Sequence, residues 1–209
     1  MPTSILLFGH SQAARLSEYL RIKGVTNFDM SRSMVDVRCE GSGGLKIRHL
    51  LNYDSEKGRY FENVMNSFEP QILILFVGDN DIDSHTDGEQ ISGLVQDAIS
   101  ALKEHFPFLL RIIISQILPR HSNRYVDAVR YNSQASVVNS KLHEWAKVTA
   151  RSYCYFQWCK FVFPSADREH YKRMKRFYLN DGVHLKPAGY HKLFMATKHT
   201  IKSVLKRLG

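Results

Sequence analysis

Residues 70–81 read Pro70-Gln71-Ile72-Leu73-Ile74-Leu75-Phe76-Val77-Gly78-Asp79-Asn80-Asp81, and this stretch decides the fold. Its apolar core, Ile72 to Val77, is strand-sized and unbroken by a polar residue. A strand with one face in water alternates apolar and polar residues, so this one reads as buried on both faces. That environment exists in the middle of a parallel sheet covered by helices on either side. The run closes on Gly78 and opens at once into polar residues.

Working outward, Ile5 to Phe8 is a second short apolar run, closed by Gly9 and followed by helix-like Ala13 to Lys23. Met34 to Cys39 alternates like a half-buried strand and ends in Gly41-Ser42-Gly43-Gly44, with Ile47, Leu50 and Leu51 beyond it at helical spacing. On the other side, Glu89 to Phe106 has helix spacing through Ile91, Leu94, Val95, Ala98, Ile99 and Leu102. Leu109 to Ile117 reads as a strand stopped by Pro119, Asn132 to Ala150 as a helix and Tyr153 to Trp158 as a fifth strand. Pro164 to Tyr178 is polar and irregular, read as a loop or short helix. Pro187 to Leu208 is the last helix, with Pro187 in its first turn. Strands alternating with helices predict one α/β domain over residues 1–209.

Composition agrees with a globular chain: 209 residues, 44% hydrophobic and 23% charged. It excludes disorder, a collagen repeat and a disulfide scaffold. No apolar run approaches the roughly 18–20 residues that cross a bilayer. Cys39, Cys154 and Cys159 follow no zinc spacing, and the ten histidines form no H-x-x-x-H pair. No metal or cofactor is expected, and Asp79, Asp81 and Asp83 are read as a capping loop. The cysteines and the direct entry into a strand, with no charged leader, suggest a reduced, intracellular protein, cytoplasmic or nuclear. Charge is uneven. Residues 1–159 carry 17 basic and 17 acidic side chains; residues 160–209 carry 12 and 3, and so hold the whole net charge of +9. Such asymmetry suggests an anionic partner, nucleic acid or an anionic membrane, against the plainer reading of a solvated Lys-rich helix.

Ligands of open parallel sheets bind beyond the carboxyl ends of the strands. The polar residues that follow the predicted strands are Gly9-His10-Ser11, Gly43-Gly44 and Gly78-Asp79-Asn80-Asp81. Asp181-Gly182-Val183-His184 precedes the last helix. This set meets the needs of serine-based acyl transfer. Ser11, at a strand-to-helix turn, is the candidate nucleophile. His184 is the candidate general base, and Asp181, three residues earlier, can hold its other ring nitrogen. The Ser11 and Gly44 N–H groups and the Asn80 amide are candidate oxyanion donors, with Gly43 the alternative to Gly44.

These segments resemble the conserved blocks of the SGNH hydrolases, the GDSL esterase/lipase superfamily: Gly9-His10-Ser11-Gln12, the turn ending at Gly44, Gly78-Asp79-Asn80-Asp81 and Asp181-Gly182-Val183-His184. The resemblance spans residues 5 to about 195. It implies a three-layer α/β/α sandwich, flavodoxin-like, with a five-stranded parallel sheet. It also implies a carboxylic ester hydrolase acting on a small ester or lipid-like substrate, with Ser11, Gly44, Asn80, Asp181 and His184 in the roles given above. An SGNH-fold binding module with an idle site is the alternative. The G-H-S opening, Gly41-Ser42-Gly43-Gly44-Leu45 and Gln116-Ile117-Leu118-Pro119-Arg120 are also similar in style to SGNH domains carried by animal retrotransposons. One departure stands out: the family usually has aspartate where this chain has His10. The expectation is a loop histidine half in solvent; pairing with a carboxylate such as Asp79 is the alternative. Finally, Tyr171-Lys172-Arg173-Met174-Lys175-Arg176-Phe177-Tyr178 interleaves cations with rings. It reads as a turn whose rings pack inward, or as a grip on phosphates or lipid headgroups.

Overall fold

The computed structural model describes residues 1–83, 87–122, 127–149, 153–159, 161 and 168–207. Five strands, β1 (Thr3–Gly9), β2 (Val35–Gly41), β3 (Ile72–Phe76), β4 (Arg111–Ser115) and β5 (Cys154–Gln157), form one sheet in the order β2-β1-β3-β4-β5. Every pairing is parallel. The decisive run is central as expected, and all five residues of β3 are buried.

The helices are α1 (Ser11–Ile22), α2 (Glu56–Phe68), the single turn α3 (Asp79–Ile82), α4 (Gly88–His105), α5 (Ala128–Thr149), α6 (Arg168–Lys175) and α7 (Pro187–Leu205). Alternate side chains of the strands divide the core into two layers. Leu6, Phe8, Leu73, Leu75, Ile112 and Ile114 meet apolar residues of α2, α4 and α5. Ile5, Leu7, Ile72, Ile74 and Ile113 meet α1, Met174 of α6 and α7. This is the three-layer α/β/α sandwich.

Two details differ from the sequence reading. The helical spacing at Ile47 and Leu50 produces a short 3₁₀ segment (Ile47–Leu50). The long helix between β2 and β3 is instead α2, capped by Ser55, whose hydroxyl accepts from the Gly58 N–H at 3.1 Å. That helix buries only Gly58, Phe61 and Met65, a stripe too thin to stand out among its charged residues. The short-helix option for the polar stretch holds at α6; residues 162–167 lie outside the described set.

Candidate active site

The sheet order reverses between β1 and β3, and a crevice for ligands opens at such a switch point. β1 and β3 approach closely at their carboxyl ends. A Cβ on Gly9 would collide with the Phe76 carbonyl oxygen, so glycine is required there. The His10 N–H donates to that same carbonyl at 3.1 Å. The chain then turns into α1, with Ser11 as its first residue, half-buried. The N–H at that helical position is not used within the helix, so it faces outward beside the Ser11 hydroxyl.

Gly44 follows β2 in a turn closed by the Leu45 N–H on the Ser42 carbonyl at 3.2 Å. The Lys57 ammonium of α2 donates to the Gly43 carbonyl and steadies that turn. Asn80 lies in α3, and its amide donates to the Leu45 carbonyl at 2.8 Å. In the loop before α7, Asp181 Oδ2 is 2.8 Å from His184 Nδ1. The other carboxylate oxygen accepts from the Val183 and His184 N–H groups, each at 2.9 Å. Desolvation works against the charged Asp181, but the hydrogen bonds from His184 and these amides outweigh it and bring its pKa down to about 2. Gly182 adopts φ +68°, and a Cβ there would collide with the Ser122 N–H. The His121 N–H donates to the Gly182 carbonyl at 2.8 Å. The segment after β4 therefore backs the Asp181–His184 turn.

The side chains that join these segments stand one position away from the candidate site residues. His10, beside Ser11, places Nε2 2.7 Å from Oδ2 of Asp79, beside Asn80. Its Nδ1 accepts from the Gln12 N–H at 3.4 Å, which leaves Nε2 to donate to Asp79. Gln12, on the other side of Ser11, donates to the carbonyl of Val183, beside His184, at 3.0 Å. The Gln12 amide oxygen in turn accepts from the Tyr190 hydroxyl of α7 at 2.9 Å. Leu45, beside Gly44, receives Asn80. Four stretches distant in sequence are thus held in register by neighbours of the residues they present.

Asp79 is also the end of a buried charge network. Its Oδ1 accepts from the Tyr131 hydroxyl at 2.9 Å and lies 3.9 Å from the Arg120 guanidinium. Arg120 stacks on Tyr131 and contacts both oxygens of Asp83 at 2.8 Å. Burial raises the pKa of Asp79, but His10, Arg120 and Tyr131 together hold it below the ordinary carboxylate value. Asp81 accepts from the Ile47 N–H at 3.3 Å, and burial raises its pKa to about 6. Asp79 and Asp83 are thus network partners, which corrects the capping role read for them, whereas Asp81 does cap, at the first residue of the 3₁₀ segment. Among the described residues, no group of three or more His, Cys, Asp or Glu side chains is placed to hold a metal ion.

The family model for GDSL-like lipase/acylhydrolase matches residues 7–197. The chain belongs to this family. Among proteins of curated function, none matches it. Solved structures of the same fold include a putative acylhydrolase from Bacteroides fragilis, at 18% identity and TM-score 0.65 over 97% of this chain and 88% of that one. A serine-to-alanine mutant of an acetyl esterase with acetate ion, at 15% identity and TM-score 0.64, is covered over 99% and 100%. A family 3 carbohydrate esterase from Talaromyces cellulolyticus, at 16% identity and TM-score 0.64, is likewise covered over 99% and 100%. His10 is 4% exposed and paired with Asp79, which corrects the expectation of a loop histidine half in solvent in favour of the alternative pairing. Gln12, Arg120, Tyr131 and Tyr190 are not legible from sequence as site residues, because their partners lie far away along the chain.

Proposed function

We propose that the protein is a serine esterase that hydrolyses a carboxylic ester, acyl or acetyl, through a covalent acyl-Ser11 intermediate. The observation that carries this reading is the Asp181–His184 pair, held to the Ser11 turn through Gln12 and the Val183 carbonyl. In the first half-reaction, Ser11 Oγ attacks the ester carbonyl while His184 Nε2 takes its proton. Asp181, kept ionised well below neutral pH, accepts from Nδ1–H and stabilises the imidazolium that forms. The oxyanion is met by the Ser11 and Gly44 N–H groups and by the Asn80 amide, oriented by its bond to Leu45. Collapse expels the alcohol, protonated by His184. Water then attacks the acyl-enzyme with His184 again as base, and Ser11 is regenerated. Every hydrolysed ester yields one acid and one alcohol.

Hydrolysis of a short-chain nitrophenyl ester tests this. The native protein is expected to turn it over, and Ser11→Ala to lower kcat by about 10³-fold or more with folding unchanged. Equal rates in the two proteins would refute the assignment. The acetyl and carbohydrate esterases among the structural neighbours make acetyl esters the first substrates to try.

A further inference from the structure

Beside the Asp181–His184 turn is a second concavity of about 520 Å³, whose polar lining includes His121, Ser122, Lys175, Arg176, Asn180 and Lys186. Three segments build it: the residues after β4, the end of α6, and the turn that carries Asp181 and His184. Its lining contains no carboxylate among the described residues. Among the described residues, none lies within ion-pair distance of Lys175, Arg176 or Lys186. Ser122 and Asn180 add polar groups to the same wall. Clustered cations without counter-charges repel one another, and an anion in the pocket relieves that repulsion. Of the rings in this stretch, Tyr178 lines the pocket but is only 2% exposed, and half-buried Phe177 lies under the Arg176 guanidinium, 4.9 Å from ring centroid to Cζ, outside the pocket's described lining. Among the described lining residues, Tyr178 therefore offers a base little to stack on, whereas the contacts a phosphate needs are present. Burial, with Lys175 nearby, lowers the pKa of His121 to about 4, so at neutral pH it enters as a neutral imidazole.

We propose that this pocket binds the phosphate of a phosphorylated ester substrate and thereby seats the ester beside His184. The inference rests on the esterase reading and narrows its substrate class. An arginine fork and two ammonium groups match the charge and the three terminal oxygens of a phosphomonoester. The volume accommodates that group with a short linker. Asn180 and Gly182, which flank Asp181, belong to the lining, so the pocket adjoins the turn that carries Asp181 and His184.

The test compares acetate release from 1-O-acetylglycerol 3-phosphate and from 1-O-acetylglycerol. The native protein is expected to favour the phosphorylated ester by about tenfold or more in kcat/KM, chiefly through KM. The triple variant Lys175→Ala, Arg176→Ala, Lys186→Ala should bring that ratio towards one, and so should the single charge reversal Arg176→Glu, which covers a misfolded triple variant. Inorganic phosphate should compete with the phosphorylated ester. If it changes hydrolysis of both esters equally, the pocket is an effector site and the substrate assignment falls. A ratio of one in an active native protein overturns the proposal. Salt-sensitive oligonucleotide binding lost in the variants, at a ratio of one, would overturn it in favour of nucleic acid. If neither ester is cleaved and Ser11 cannot be labelled, the esterase reading has failed by itself. Calorimetric titration with glycerol 3-phosphate then judges the pocket alone: binding by the native protein that the triple variant lacks supports it, and no binding overturns it.

Discussion

Arg120 and His121 are adjacent in sequence, yet they belong to opposite kinds of electrostatic environment. Arg120 is 6% exposed and reaches inward to Asp83, Asp79 and the face of Tyr131. His121 lines a pocket in which three of the cations, Lys175, Arg176 and Lys186, meet no carboxylate among the described residues. In the buried region each charge has a partner within hydrogen-bonding reach, because an unmatched charge away from water costs several kcal/mol. In the pocket, water and counter-ions meet that cost, so the charges are available to a ligand. The difference separates structural charge from recognition charge along a single loop. It also shows why net charge is a poor guide here: the +9 lies in residues 160–209, but the buried charges around Asp79 that join the site's segments lie in the balanced remainder.

Arg120→Ala should break this contrast most severely. It removes the guanidinium that pairs with half-buried Asp83 and faces buried Asp79, and stability measured by urea unfolding should fall by about 3–5 kcal/mol. A loss below about 1 kcal/mol would mean that the network is solvated. Next, restoring the family's usual aspartate with His10→Asp should harm this chain, since the new carboxylate would face Asp79. A loss of about 2–3 kcal/mol is expected, and the exchange His10→Asp with Asp79→His should recover part of it; simple additivity of the two changes would refute the pairing.

Asp81 sharpens the same point through pH. Its folded pKa, about 6, is raised above the unfolded value, so its contribution to stability is full below about pH 4 and lost as pH rises through 6. Relative to the native protein, Asp81→Asn should therefore gain on the order of 1–2 kcal/mol between pH 4 and pH 7. A flat difference across that range would contradict the burial. At the other extreme, Lys175→Ala should change unfolding stability by no more than about 0.5 kcal/mol, as expected of a solvated charge. A larger loss would make Lys175 structural.

Much of the fold can be read along the chain because each central strand announces itself locally. Ile72 to Val77 is apolar on both faces whatever lies around it. α2 does not show in the sequence because Phe61 and Met65 are too few to set a period against Glu56, Lys57, Arg59 and Glu62. At the site, Ser11, Gly44, Asn80, Asp181 and His184 stand out because each follows a strand end or shares a short turn. The residues that join them do not. Gln12 bonds Val183 across 171 positions, and His10 meets Asp79 only after β1 and β3 have paired. A histidine beside a glycine gives no local sign of burial; the complementary Asp79, one residue before Asn80, is the available hint.

The central claim is that Ser11 is a nucleophile activated by His184. A serine-directed phosphonate, followed by mass spectrometry of the digested protein, tests it most directly. Stoichiometric labelling of the peptide containing Ser11 is predicted, greatly slowed in His184→Ala and absent in Ser11→Ala. No labelling of folded protein, or labelling that persists in Ser11→Ala, would contradict the account.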